Sequence, residues 1–475
     1  MSLEALTDQV HADLSRLAHG ADTWVRPRRS DEGHVYEVVI VGGGQSGLGA
    51  AFALMRERVS NILVIDENPA GYEGPWDTYA RMLTLRTPKH LTAIDLGIPS
   101  LTFRAYWEAL HGADGWAALD KIPRCDWMAY LRWYRQALNL PVVNGVKLIR
   151  VEPLDGGLYR LQVDGGARPA LLARKVVLAT GIQGGGEWYV PPMIASKLPR
   201  TLYAHTSKVI DFEALKGKRI GILGGGASAF DNAQFALSTG VAEAHVFMRR
   251  KELPRVNPIR QMEASGMIAC FGALNDADKY AVMSSFLRHN QPPTNDTFQR
   301  ALAKPGFELH LGAPWQDLEL EGDVVRVTTP AGRFDFDFLV ISTGLVSDPG
   351  LRPELNLIEE GILRWRDRYV APSDVSNAVI DAHPYLSEGF AFKGRDAAAE
   401  TRLHGLFAFN YSALISLGLS ASAISGLKYA IPKLVKGVIE QLFLDDRDAM
   451  LGDYYAYAEP EFVGEWPPVK DRKSA

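Results

Sequence analysis

The sequence predicts an α/β fold built from two Rossmann-like dinucleotide-binding domains, the second inserted into the first. Two segments share one grammar of apolar strand, glycine turn, helix-forming stretch and second strand. Two more apolar strands, each stopping at Thr-Gly, bracket the second segment and mark where the chain leaves the first domain and returns. At 475 residues the chain is long enough for two such domains with extensions.

The chain opens with Leu3, Leu6, Val10, Leu14 and Leu17 at helical spacing, which predicts an amphipathic helix docked on the body. Acidic residues stand where a secretory signal needs a basic start. Residues 1–34 are read as this helical extension. The first dinucleotide unit follows, with the strand Glu37-Val-Val-Ile-Val, the turn Gly42, Gly44 and Gly47, a helix over 48–58, and a strand ending at Asp66. The first glycine permits the tight turn, the second lets the backbone approach a pyrophosphate, and the third allows close helix–strand packing. The helix N-terminus, with Gln45 and Ser46, then offers free amides to phosphates. Asp66, with Glu67 beside it, is placed to accept from ribose hydroxyls. Its charge repels a 2′-phosphate, so this site suits FAD or NAD.

The second unit runs Arg219-Ile-Gly-Ile-Leu, then Gly224, Gly226, Ala227, Ser228 and Ala229, then a helix to about 238 and a strand over 244–249. That strand ends in Arg249, Arg250 and Lys251 instead of an acid. Guanidinium forks bind phosphate bidentately, which fits the 2′-phosphate of NADPH. The flanking exits are Lys175 to Gly181 and Phe338 to Gly344, with Gly165-Gly166 and Ala331-Gly332 as turns before them. The predicted organisation is therefore a first FAD-binding part over 35–200, an NADPH domain over 201–335, and a second FAD-binding part with C-terminal helices over 336–475. Residues 423 to 443 are apolar at helical spacing, interrupted by Pro432, and read as one or two core helices.

Composition narrows the function. A net charge of −5 argues against a nucleic-acid binder working through a basic surface. The two cysteines, Cys125 and Cys270, are too far apart in sequence for a C-x-x-C centre, and no metal site is expected. No uninterrupted apolar run reaches the ~18 residues of a membrane span, and a cytoplasmic location is expected. Glycine is in excess, 44 residues against a usual share of ~7%, and the glycine turns hold much of it.

The segment from Ala204-His205 through Lys216-Gly-Lys-Arg219 to Gly224-Gly-Gly-Ala-Ser228-Ala-Phe-Asp231, with the N-terminal glycine motif and the Thr-Gly linkers, resembles the class B flavoprotein monooxygenases. The resemblance spans roughly 35 to 420. It departs from the Baeyer–Villiger fingerprint at Pro199 and Thr201, and from a usual aromatic at Val209. The family's Gly-Gly-x-Trp is similar to Glu73-Gly74-Pro75-Trp76, which implies that Gly74 and Trp76 lie near the flavin. The loop Leu83-Thr-Leu-Arg86-Thr-Pro-Lys89 resembles the one that carries an active-site asparagine in the flavin-containing monooxygenases, and Arg86 stands at that position as the catalytic candidate. Gly405 to Ser412, including Asn410, with Gly418-Leu-Ser420, resembles the closing flavin-contact strand and helix. Gly181, His205 and Gly344 are assigned to cofactor positioning.

The resemblance implies an FAD-dependent, NADPH-consuming monooxygenase that inserts one atom of O2 through a C4a-peroxyflavin into a small organic substrate. N- or S-oxygenation is favoured over Baeyer–Villiger oxidation. The alternative is an NAD(P)H-dependent flavoprotein reductase of a quinone or ferredoxin-type acceptor. Expected partners are the small-molecule substrate and O2, without nucleic acid or membrane, and homo-oligomerisation is left open.

Overall fold

Val38, Val39 and Ile40 are fully buried in the strand Gly33–Val41, as a strand covered on both faces requires. In the computed structural model, which describes residues 2–466 apart from 21, 92 and 290, this strand lies inside the first sheet. The sheet order is Val142–Asn144, Ile62–Asp66, Gly33–Val41, Ala170–Leu178, Leu158–Asp164 and Lys147–Leu154. The first four are parallel and the last two antiparallel. The order reverses between Gly33–Val41 and Ala170–Leu178, and a doubly wound sheet binds ligands in the crevice beyond such a switch point. Late in the chain Leu406–Phe407 joins this sheet beside Val176 and Val177.

The second sheet is parallel throughout, in the order Phe307–His310, Glu243–Phe247, Arg219–Leu223, Phe338–Ile341 and Tyr203–His205. This corrects the sequence reading in one respect. The strand Phe338–Ile341, expected within the first domain's returning part from 336, pairs with the second glycine-turn strand instead. An apolar strand ending in Thr-Gly is the fourth strand of either dinucleotide fold, so its residues alone do not say which sheet it completes. The domains are bridged just beyond it, where Leu345–Ser347 pairs antiparallel with Gly186–Trp188. A small antiparallel sheet of Asp317–Glu321, Val324–Thr329 and Gly332–Phe336 covers one face of the second sheet, packing Phe334 and Phe336 on Phe247.

The helices follow the expected pattern with shifted ends. The first glycine turn opens the helix Gln45–Arg56 and the second opens Ala227–Ser238. The N-terminal helix Leu3–Arg16 buries Leu6, Val10 and Leu14, while Leu17, just past its end, is exposed. It docks on the helices Phe103–Ala118 and Arg124–Ala137, where Trp133 Nε1 donates to Thr7 Oγ1 at 3.0 Å. The apolar stretch after 423 forms one helix, Ile424–Asp445, with Pro432 inside it. It crosses Gln45–Arg56 closely enough that a Cβ on Gly49 would meet Ile431 Cδ1 at 2.6 Å. No described helix is long and apolar enough to cross a membrane.

Candidate active site

The two glycine turns are built alike. Gly42 has φ 111°, and a Cβ there would lie 2.4 Å from the Ala179 carbonyl oxygen, at the end of the fourth strand. Gly224 has φ 127°, and its Cβ would lie 2.2 Å from the Ser342 carbonyl oxygen in the same relation. Only glycine fits either position. Gly44 and Gly226 are open, with nothing within 4 Å of an added Cβ, which is the bare backbone a pyrophosphate needs. At the third position Gly47 sits so close to Gly42 O that a Cβ would lie at 1.8 Å, whereas Ala229 fits fully buried. Both cradles therefore fit a dinucleotide.

A cavity of about 970 Å³ opens beyond the first turn. Gly42, Gly44, Gln45, Ser46, Asp66 and Glu67 line it, as do Gly74, Trp76, Arg86 and Gly181. Asp66 is held by its neighbours: Oδ2 accepts from the Gly43 amide at 2.7 Å, and Oδ1 accepts from the amide and side chain of Asn68 at 2.8 and 2.9 Å. Burial pushes its carboxyl upward against these hydrogen bonds. Ser46 Oγ donates to Ala421 O at 2.7 Å, tying the turn to the segment before the long helix. That helix starts after Ala423, which has no capping side chain, and Ser422, Ala423, Ile424 and Ser425 all line the cavity. Its positive dipole end therefore faces the cavity. Asn410 is buried away from the cavity wall, where it bonds Thr180 Oγ1 at 3.1 Å and accepts from the Ser412 amide at 2.9 Å.

Two supports escaped the sequence reading. Glu73 is buried between Arg135, at 2.7 Å, and the amides of Asn144 and Gly71, and so fixes the loop that carries Gly74 and Trp76. Trp127, buried in the helix Arg124–Ala137, donates from Nε1 to Gln45 Oε1 at 3.0 Å. A buried aromatic N–H needs an acceptor, which was the available signal.

The second motif stands outside the cavity wall. Arg249 is exposed and makes no ion pair among the described residues, and Arg250 donates to Arg288 O at 3.2 Å. Both lie in the turn after the strand, which ends at Phe247. His205 is buried, its Nδ1 accepting from the Ser207 amide at 3.2 Å and lying 2.9 Å from Ser207 Oγ. Burial pushes its imidazole down to about 4, so it is neutral at pH 7 and positions Ser207, which lines the cavity. Gly344 has φ 84°, and its carbonyl accepts from the Tyr189 amide at 3.0 Å, at the crossing between domains.

Arg86 is not a free cation. Its guanidinium pairs with Asp231, a carboxylate with 5% exposure on the helix that follows the second glycine turn. Burial raises the Asp231 carboxyl, while Arg86 pulls it down. Thr297 Oγ1 also reaches Asp231 at 3.3 Å, and Arg260 Nη2 donates to the Arg86 carbonyl at 3.0 Å. Arg260 in turn pairs with Glu263 at 3.0 Å, and Glu263 accepts from Ser425 Oγ at 3.0 Å, at the start of the long helix. Asp231, Arg260 and Glu263 come from remote sequence and were not anticipated.

Two dinucleotide cradles, the first opening on a cavity into which a helix end is aimed, define a flavin- and nicotinamide-dependent oxidoreductase. Family models describing FAD-NAD(P)-binding and L-lysine 6-monooxygenase/L-ornithine 5-monooxygenase match residues 39–183 and 117–270. The fold is shared with the Kutzneria sp. 744 ornithine N-hydroxylase (TM-score 0.64, 18% identity, 86% of this chain and 99% of that one). It is shared equally with the ornithine hydroxylase of Pseudomonas aeruginosa (TM-score 0.68, 16% identity, 86% and 100%). A curated relative, the FAD-dependent urate hydroxylase of Xanthomonas campestris pv. campestris, is 63% identical over 468 residues, covering 98% of each chain. The chain belongs to this family of class B flavin-dependent monooxygenases, and it is an enzyme that uses FAD and a nicotinamide cofactor.

Proposed function

We propose that the protein hydroxylates urate, consuming NADPH and O2. The observation that carries this reading is the 63% identity to a urate hydroxylase over 98% of both chains. In the overall reaction urate, O2, NADPH and a proton become hydroxylated urate, NADP+ and water. Bound FAD would supply the chemistry of hydride acceptance and O2 activation. The chain's own residues do the rest. Gly42, Gly44 and the start of the helix Gln45–Arg56 receive the FAD pyrophosphate, and Asp66 receives the adenosine ribose. The free amides at the start of Ile424–Asp445 would favour negative charge on a flavin held in the cavity. Gly224 and Gly226 receive NADPH, and Arg249 and Arg250 neutralise its 2′-phosphate. Arg86 lines the cavity and, through Asp231, ties the flavin side of the site to the nicotinamide side.

The test is NADPH oxidation by the yellow protein in air with a panel of urate, L-ornithine and L-lysine. Urate should accelerate NADPH loss, disappear in step with it, and gain one oxygen atom from labelled O2. The match of residues 117–270 to the lysine/ornithine monooxygenase model favours a second reading, hydroxylation of a side-chain amine. Acceleration by ornithine or lysine with urate inert would overturn the first reading and support the second. Reduction of a quinone without oxygen incorporation would restore the reductase alternative.

A further inference from the structure

The strands Glu243–Phe247 and Phe307–His310 are parallel neighbours at one edge of the second sheet. Their register sets His245 opposite Glu308 and Phe247 opposite His310, and none of the polar three lines the cavity. His245 Nδ1 lies 3.2 Å from His310 Nε2 and 3.6 Å from Glu308 Oε2. That same carboxylate oxygen is 3.3 Å from His310 Nε2. Four ligands held at ~2.0–2.1 Å around a tetrahedral ion are separated by edges of about 3.3–3.4 Å. The three atoms therefore outline one face of such a tetrahedron, and two imidazoles with one carboxylate form a recognised zinc donor set.

A direct imidazole–imidazole hydrogen bond would explain the first distance but not the other two. A further feature points the same way. Glu243 Oε2 lies 3.4 Å from His245 Nε2, on the opposite side of the ring. A carboxylate there keeps the proton on Nε2 and leaves the Nδ1 lone pair for a metal. Aromatic rings hold both imidazoles in place: Phe247 stacks on His310 at 4.4 Å between centroids, and Phe336 meets His245 edge-on at 5.3 Å. The Glu308 side chain is 55% exposed, which provides an entry path and room for water as fourth ligand.

We propose that His245, Glu308 and His310 form a site for a zinc-type divalent cation, separate from the flavin and nicotinamide chemistry, which staples the edge strand to its neighbour. The tie lies close to the Arg249–Arg250 turn, since Met248 N donates to His310 O at 2.9 Å and Gly312 N donates to Arg250 O at 2.8 Å.

The experiment uses tag-free, flavin-loaded protein, stripped with a chelator and titrated with Zn2+ alone. One equivalent should bind and raise the thermal midpoint. His310→Ala should abolish saturable binding, and Glu308→Gln should weaken it at least tenfold. Glu243→Gln, which alters only the carboxylate behind His245, should weaken it about tenfold. Retained flavin in each variant reports that it has folded. Should His310→Ala fail to fold, Glu308→Gln decides alone, because its exposed carboxylate can be neutralised without repacking. Absence of a saturating equivalent in the parent, or unchanged affinity in Glu308→Gln, would overturn the proposal.

Discussion

At Gly44 an added Cβ meets no atom within 4 Å, whereas at Gly42 it would be driven to 2.4 Å from Ala179 O. The two glycines are thus required for different reasons, one by ligand access and the other by the chain itself. Gly44→Val should fold, because the backbone there is extended (φ −75°, ψ −174°), yet lose more than nine-tenths of its bound flavin. Flavin absorbance per protein and circular dichroism of the stripped protein check both halves; full flavin content would show that the cradle lies elsewhere. The same scale governs cofactor choice. Each guanidinium–phosphate contact contributes roughly 1.5–3 kcal/mol, or about ten- to a hundredfold in binding. Replacing Arg249 and Arg250 by Ser should therefore remove most of the preference for NADPH over NADH. An unchanged ratio of kcat/KM for the two cofactors would move the phosphate contact to another residue.

Among the elements, two buried histidines make the fold sensitive to acid. His383 is 1% exposed, with Nδ1 donating to Val379 O at 2.6 Å, and burial pushes it from its usual 6.5 down to about 4. His205 is displaced the same way, also to about 4. As pH falls below 6.5 the unfolded chain takes up these protons first, so stability present above 6.5 is lost progressively until about 4. Each group contributes a loss on the order of 3 kcal/mol across that window. The urea midpoint should fall between pH 6.5 and 4, and His383→Gln should flatten part of the decline. Element ends illustrate what was legible beforehand. The glycine turns located the starts of both helices that follow them, but the sequence placed Arg249 on a strand that in fact stops at Phe247. The Arg250 carbonyl is instead bonded by Gly312, a partner from 62 positions further along that no local pattern announces.

Across the whole molecule the Arg86–Asp231 pair joins a flavin-side loop to the helix that opens the nicotinamide domain. Removing one partner of a buried pair costs about 3–5 kcal/mol when the other stays charged. Protonation limits that loss here, because burial already raises the Asp231 carboxyl. Arg86→Asn should leave flavin reduction by NADPH nearly intact, lower the thermal midpoint, and raise the share of NADPH that ends as hydrogen peroxide. Asp231→Asn should raise peroxide as well if the bridge is what couples reduction to hydroxylation. Stopped-flow reduction and a peroxide assay separate the two steps. A rise confined to Arg86→Asn assigns the effect to the cation, and normal coupling in both variants makes the pair purely structural.

The two glycine turns and the acid closing the strand at 66 were legible in the sequence because each is set by local backbone sterics or by charge at a strand end. Those constraints act within one βαβ unit, so a linear reading reaches them. The sheet that Phe338–Ile341 completes, the burial of Asp231 against Arg86, the hold of Trp127 on Gln45 and the meeting of His245 with His310 were decided by tertiary structure. Each joins residues at least 65 positions apart through packing of whole strands and helices, and side chains of the same types at those positions carry no mark of the partner they will meet.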